Sequence, residues 1–120
     1  MDVYTVTVIP PWPFQGAFVE EDVFALVGAR WRTYLQVDEF YPVPNRHPDP
    51  KEMFLIYRED VASIPPAHLL GYVHRHPKGF LPPSPDDIAG CDPRHIGAVW
   101  CEGTVQWFGP TGPLDVRYAT

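Results

Sequence analysis

Sixteen of the 120 residues are proline, well above the ordinary share of about 5%. They fall in clusters, at 10–13, 42–50, 65–66 and 82–85, with apolar runs between them. Each pyrrolidine ring fixes φ and removes a backbone donor, so neither a regular helix nor a central strand passes through such a cluster. The chain therefore reads as short elements joined by rigid connections.

The apolar runs supply the elements. "DVYTVTVIP" alternates with period two and predicts a strand ending at the first proline cluster. "EEDVFALVGARWRTYLQVDEFYPV" predicts a hairpin over roughly 22–38, turning at Gly28, Ala29 and Arg30. "PVPNRHPDPKE" reads as a loop, "MFLIY" as a short buried strand and "REDVASI" as one or two helical turns. "HLLGYVHRH" predicts a strand stopped by Pro77, with "KGFLPP" a loop after it. "SPDDIAG" carries a helix start, with Ser84 as N-cap, Pro85 at the first helical position and acids in the first turn. "HIGAVWCEGTVQWFG" predicts a hairpin turning near Glu102-Gly103, and "LDVRYA" a last strand.

A chain of this length fits one domain spanning 1–120. A net charge of −6, with nine scattered Lys and Arg, argues against a nucleic-acid binder. No apolar run has the length of a membrane span, and no basic segment leads into an apolar signal core. A cytoplasmic location is therefore expected, with Cys91 and Cys101 as reduced, packed thiols rather than a disulfide.

His74 and His76 stand two apart on a predicted strand, so both imidazoles project from one face. Ser84 and Asp87 follow a loop, and Asp87 lies one turn into the short helix. Ser84-x-x-Asp87 also has the form of a capping box, which accounts for both residues without any ion. Taken together, two imidazoles and a carboxylate can hold Zn²⁺ and leave a fourth tetrahedral position for water, as in catalytic zinc sites.

"HRHPKGFLPPSPDD" resembles the H-x-H-P followed by P-S-x-x-D signature of the JAMM (MPN-plus) metalloproteases, through His74, His76, Pro77, Pro83, Ser84 and Asp87. "EDVFALVG" resembles the family's upstream glutamate segment through Glu21, Leu26 and Gly28, with Phe24 where glycine is common. The likeness extends over residues 18 to about 108, including "PVPN" and "MFLIYRED". It implies an α/β fold: one compact domain with a mixed, mostly antiparallel sheet and short helices, the cytidine-deaminase-like JAMM/MPN architecture. It implies one Zn²⁺ held by His74, His76 and Asp87, Glu21 as general acid/base and Ser84 as oxyanion donor. Glu20, Glu39 and Glu52 are the other carboxylates that could serve in place of Glu21.

The implied activity is hydrolysis of a peptide or isopeptide bond in a protein or peptide substrate, with the tail of a ubiquitin-like protein as one candidate. The alternative is a non-catalytic zinc-containing binding or assembly module, of the kind a phage tail could use. A nucleobase deaminase would need a P-C-x-x-C zinc segment, and neither Cys91 nor Cys101 lies in one. Two departures are visible. "PPWPFQGAFVE" replaces the helix that family members carry before the glutamate, and the stretch from Asp87 to His95 lacks the insertion of ubiquitin-specific relatives. This resembles minimal bacterial, archaeal or phage-encoded members. An open groove lined by strands 69–75 and 31–38 is expected, where an extended tail could add as a strand.

Overall fold

The structure is a computed structural model and describes residues 3–119. The alternating N-terminal run forms β1 (Val3–Val8), followed after a long connection by β2 (Val23–Trp31) and β3 (Tyr34–Val43). Two 3-10 turns, Arg58–Val61 and Pro66–His68, lead into β4 (Leu69–Arg75). The helix α1 (Pro85–Ala89) precedes β5 (Gly97–Cys101) and β6 (Thr104–Gly109). The two-residue β7 (Gly112–Pro113) and β8 (Asp115–Tyr118) end the chain.

All eight strands join one sheet in the order β7-β6-β5-β4-β2-β3-β1-β8. Four pairings are antiparallel (β2–β3, β2–β4, β5–β6, β6–β7) and three are parallel (β1–β3, β1–β8, β4–β5). The sheet is thus mixed and mostly antiparallel, as expected. It also curls, because Trp107 on β6 donates from Nε1 to the Tyr118 hydroxyl on β8 at 2.8 Å. Strands near opposite ends of the order are brought together over a shared core.

That core holds Val6, Leu26, Leu35, Val37, Leu70, Val73, Ala98 and Trp107 on the concave side. The proline-rich segment before Glu21 is extended and lays its aromatic rings over this side. Trp12 packs on Phe40 and Trp107 at 5.0 and 6.1 Å between centroids. Phe14 meets Phe24 edge-on and stacks on Trp100 at 5.0 Å. Pro10, Pro11 and Pro13 forbid a helix here, so covering rings do the work that a helix would otherwise do. Burying one such side chain stabilises by about 1.5–3 kcal/mol.

Two expected elements differ. The first hairpin does not turn at Gly28; it runs through to Trp31 and turns at Arg32-Thr33, where Arg32 has φ 55°. Gly28 sits at a bulge, because a Cβ there would lie 1.8 Å from the Gln36 carbonyl oxygen. "MFLIY" is not a strand, although Phe54 and Ile56 do pack inward while Met53, Leu55 and Tyr57 stay exposed. It has the burial alternation of a strand without the ladder. Among the described residues no helix is long and apolar enough to cross a membrane.

Candidate metal centre and groove

Alternation along β4 sorts its side chains between the two sides of the sheet. Val73 enters the concave core, and Arg75 lies over Trp100 on that side, 5.3 Å from the ring centroid. Tyr72 and His74 point the other way, and His76 follows just past the strand end. His76 continues the ladder by donating its N–H to the Trp100 carbonyl at 2.9 Å. The two ring nitrogens then face one another, with His74 Nε2 3.0 Å from His76 Nε2.

Asp87 completes a triangle with them, its Oδ2 3.3 Å from His74 Nε2 and 3.2 Å from His76 Nε2. The expected capping box on α1 is what aims it. Ser84 Oγ accepts from the Asp87 N–H at 3.0 Å, while Asp87 Oδ2 accepts from the Ser84 N–H at 2.8 Å. Cap and site geometry are therefore the same arrangement, not alternatives.

Glu21 sits just before β2 and is 3% exposed. Its Oε1 lies 3.7 Å from His76 Nε2 and 3.9 Å from His74 Nε2. Of the other candidates, Glu20 and Glu39 are exposed, and Glu52 is an exposed residue of the groove wall. All five expected site residues, His74, His76, Asp87, Ser84 and Glu21, are brought together at one end of the groove.

The charge states follow from the surroundings. His76 Nδ1 is 2.6 Å from the Phe80 carbonyl, which can only accept, so Nδ1 carries the proton and Nε2 is the atom turned to the centre. Burial works to lower the His76 pKa, but Asp87, the Phe80 carbonyl and Glu21 outweigh it and the net shift is upward. Burial depresses His74 and keeps its ring neutral. Its Nδ1 is buried without a partner, and the Phe54 ring 4.3 Å away fixes its orientation. Asp87 pays for burial, yet its bonds to both imidazoles and to the Ser84 N–H hold it far below the usual carboxylate range. Glu21 goes the other way, pushed up to about 7 chiefly by burial.

This donor set fits a metal ion. Glu21, His74 and His76 offer ligand atoms all within 4.8 Å of one another, and Asp87 adds a carboxylate oxygen closer still to both rings. Ligand atoms around a tetrahedral ion with bonds of about 2.0–2.1 Å stand about 3.3 Å apart. The observed edges of 3.0, 3.2 and 3.3 Å match that spacing.

A groove of about 1340 Å³ opens from this cluster. One wall is the segment 51–58 with Val61 and Ile64, the other is α1 and residues 90–97, and Leu69 and Tyr72 form the floor. Residues 31–38, expected to line it, do not. β3 lies beyond β2 in the sheet, so the wall falls to the 51–58 segment instead. β4 is hydrogen-bonded to β2 on one edge and β5 on the other, leaving no edge there for an added strand. Cys91 lines the groove, and its thiol and that of Cys101 are both free. Sequence reasoning left out His95, Tyr72 and Phe54, which line the groove. Their only signal was position in loops or apolar runs, which does not reveal a shared groove.

Neither a family model nor a curated relative matches the sequence. Solved structures do. A protein from Desulfitobacterium hafniense is 20% identical, with a TM-score of 0.61 over 83% of this chain and 79% of that one. A JAB1/MPN domain protein from Archaeoglobus fulgidus is 17% identical, with a TM-score of 0.57 over 87% and 84%. A structure described as JAMM, a metalloprotease-like zinc site in the proteasome and signalosome, is 18% identical, with a TM-score of 0.50 over 83% and 78%. At identities of 17 to 20% the likeness is one of fold, and it extends over more than four fifths of the chain: this chain has the JAB1/MPN fold.

Proposed function

We propose that the chain is a zinc-dependent hydrolase of JAMM type that cleaves a peptide or isopeptide bond, with the tail of a ubiquitin-like protein as a candidate substrate. The observation that carries this reading is the placement of a buried Glu21 carboxyl beside the His74, His76 and Asp87 triangle. With His74, His76 and Asp87 as the ligands, the Glu21 carboxyl, 3.7 and 3.9 Å from the ring nitrogens, would stand beside the ion's fourth position as a group that does not ligate. That is the place of a proton carrier, whose ideal pKa lies near the working pH.

His74, His76 and Asp87 would hold the ion. Zinc bound there supplies Lewis acidity, polarising a carbonyl and activating water near neutral pH. The chain's own residues do the rest. Burial raises the Glu21 pKa, and its carboxyl beside the site can accept a proton from the attacking water and return it to the leaving amine. Ser84 Oγ is used as an acceptor by the Asp87 N–H, which leaves its own O–H proton free to donate to a developing oxyanion. Phe80 holds His76 in the tautomer a ligand needs. An extended protein tail could lie in the groove against residues 53–56, an apolar wall outside any strand ladder.

Metal analysis of the purified protein with its H74A and D87A variants tests the site. About one zinc per chain is expected in the parent and none in the variants; a metal-free parent, or variants that keep the ion, would sink it. Cleavage of ubiquitin-like fusions with and without a chelator tests the activity.

A further inference from the structure

Glu21 lies outside the β-ladder, which starts at Val23. Its backbone is held instead by the segment that forms the groove wall. The Glu21 N–H donates to the Pro50 carbonyl at 2.7 Å. The Glu21 carbonyl accepts from Asn45 Nδ2 at 3.0 Å.

Asn45, half-buried just beyond β3, uses its whole amide at this junction. Nδ2 also donates to the Met53 carbonyl at 3.0 Å and approaches that of Pro50 at 3.5 Å. Oδ1 accepts from the N–H groups of His47 and Leu55, each at 3.1 Å. A primary amide has two donor hydrogens and two acceptor sites, so both sides are saturated. Leu55 returns the contact by accepting from the Arg46 N–H at 2.9 Å. The side chain of Asn45 thus stands where a neighbouring strand's backbone would, which is why 53–57 is extended without a ladder.

We infer that Asn45 is a positioning residue that ties Glu21 to the 53–55 wall, so that proton carrier and substrate-contacting wall are placed as one unit. The inference rests on the reading of Glu21 as proton carrier. Asn45 touches neither His74, His76 nor Asp87, which β4 and α1 place without it. Its loss should displace Glu21 and leave zinc binding alone, and a misplacement of about 1 Å can cost about 10²-fold in rate.

The test compares N45A, N45D, E21Q and the N45A/E21Q pair in zinc-loaded protein, with backbone hydrogen exchange measured alongside. N45D is isosteric and keeps both acceptor contacts while losing both donors, so it serves if N45A fails to fold. In N45D the Glu21 amide should exchange faster while the His47 and Leu55 amides stay protected. In N45A kcat should fall about 10- to 100-fold at unchanged zinc content. In the E21Q background N45A should cost nothing more, because the group it positions is already disabled. Parent-like exchange at Glu21 in both variants, or a loss that adds in full to that of E21Q, would overturn the inference. If the parent hydrolyses nothing, the proposed activity fails, while exchange at Glu21 still decides whether Asn45 places it.

Discussion

The two sides of the sheet have been finished by different means from the same strands. On the concave side, Val73 joins Leu26, Leu35 and Trp107, and the Trp12 and Phe14 rings close the surface. Even the charge on that side is spent on structure: Arg75 bonds the carbonyls of Gln15 and Gly16 and pairs with Asp22 at 3.7 Å. On the other side, Tyr72 and His74 face a groove whose second apolar cluster, Val23, Ala25, Val43, Val61 and Ile64, stops short of filling it. One side is sealed by rings that a helix could replace; the other keeps its polar groups close together and open at one end. Perturbing the first should cost stability, and perturbing the second should cost chemistry.

The sharpest separation is expected at Glu21. E21Q keeps shape and removes the proton carrier, and positioned general acid/base groups contribute about 10²–10⁴-fold. A fall of that size in kcat, with zinc content unchanged, is the expected result in a chelator-controlled cleavage assay. E20Q, on the exposed neighbour, should match the parent within about twofold. The reverse outcome would place the working carboxylate one residue earlier and contradict the geometry.

Phe14→Ala probes the sealed side. Removing a buried aromatic ring costs about 3–5 kcal/mol, read as a lower urea midpoint. Zinc content and kcat of the folded fraction should stay within about twofold, because Phe14 touches Phe24 and Trp100 and none of the site residues. Loss of zinc together with stability would mean that the two sides are not independent.

The contrast also explains what could be foreseen. The histidine pair was legible because period two is local: residues 74 and 76 share a side whatever lies elsewhere. Ser84 and Asp87 were legible because a capping box is local too, and here it also aims the ligand. Glu21 against Glu20 depended on how the chain meets β2, which the Asn45 and Pro50 contacts decide at a distance. The "MFLIY" run has the right alternation, yet an asparagine side chain occupies the place of its partner strand. Gly28 looked like a turn, but close approach of β3 made it a bulge. The groove wall was misassigned for the same reason: strand order is a long-range property that no single run of residues displays.

The metal-free protein offers a quieter test through pH. The Glu21 carboxyl titrates at about 7 in the fold against 4.5 in a free chain. Between these values the folded state keeps a proton that the unfolded chain has lost, so stability falls as pH rises through that window and levels off above it. His74, depressed by burial, pulls oppositely: below about 6.5 the unfolded chain binds a proton that the folded ring refuses, so stability rises with pH up to there. Subtracting urea curves of E21Q from those of the parent isolates the carboxyl. A difference that does not change between pH 4.5 and 7 would refute the burial assigned to Glu21.

The smallest effect is expected at Ser84, where structure and chemistry share one side chain. Ser84→Ala removes the cap of α1 and should cost about 1 kcal/mol, whereas glycine at an N-cap costs only a few tenths. Neither variant has a hydroxyl. If Ser84 donates to an oxyanion, S84A and S84G should lose kcat alike, by up to about 10²-fold, while their urea midpoints differ. If Ser84 is a cap alone, the rates should instead follow stability, with S84G close to the parent and S84A below it. The capping box then holds Asp87 in place and does nothing further, and the groove side has one chemical residue fewer than its geometry offers.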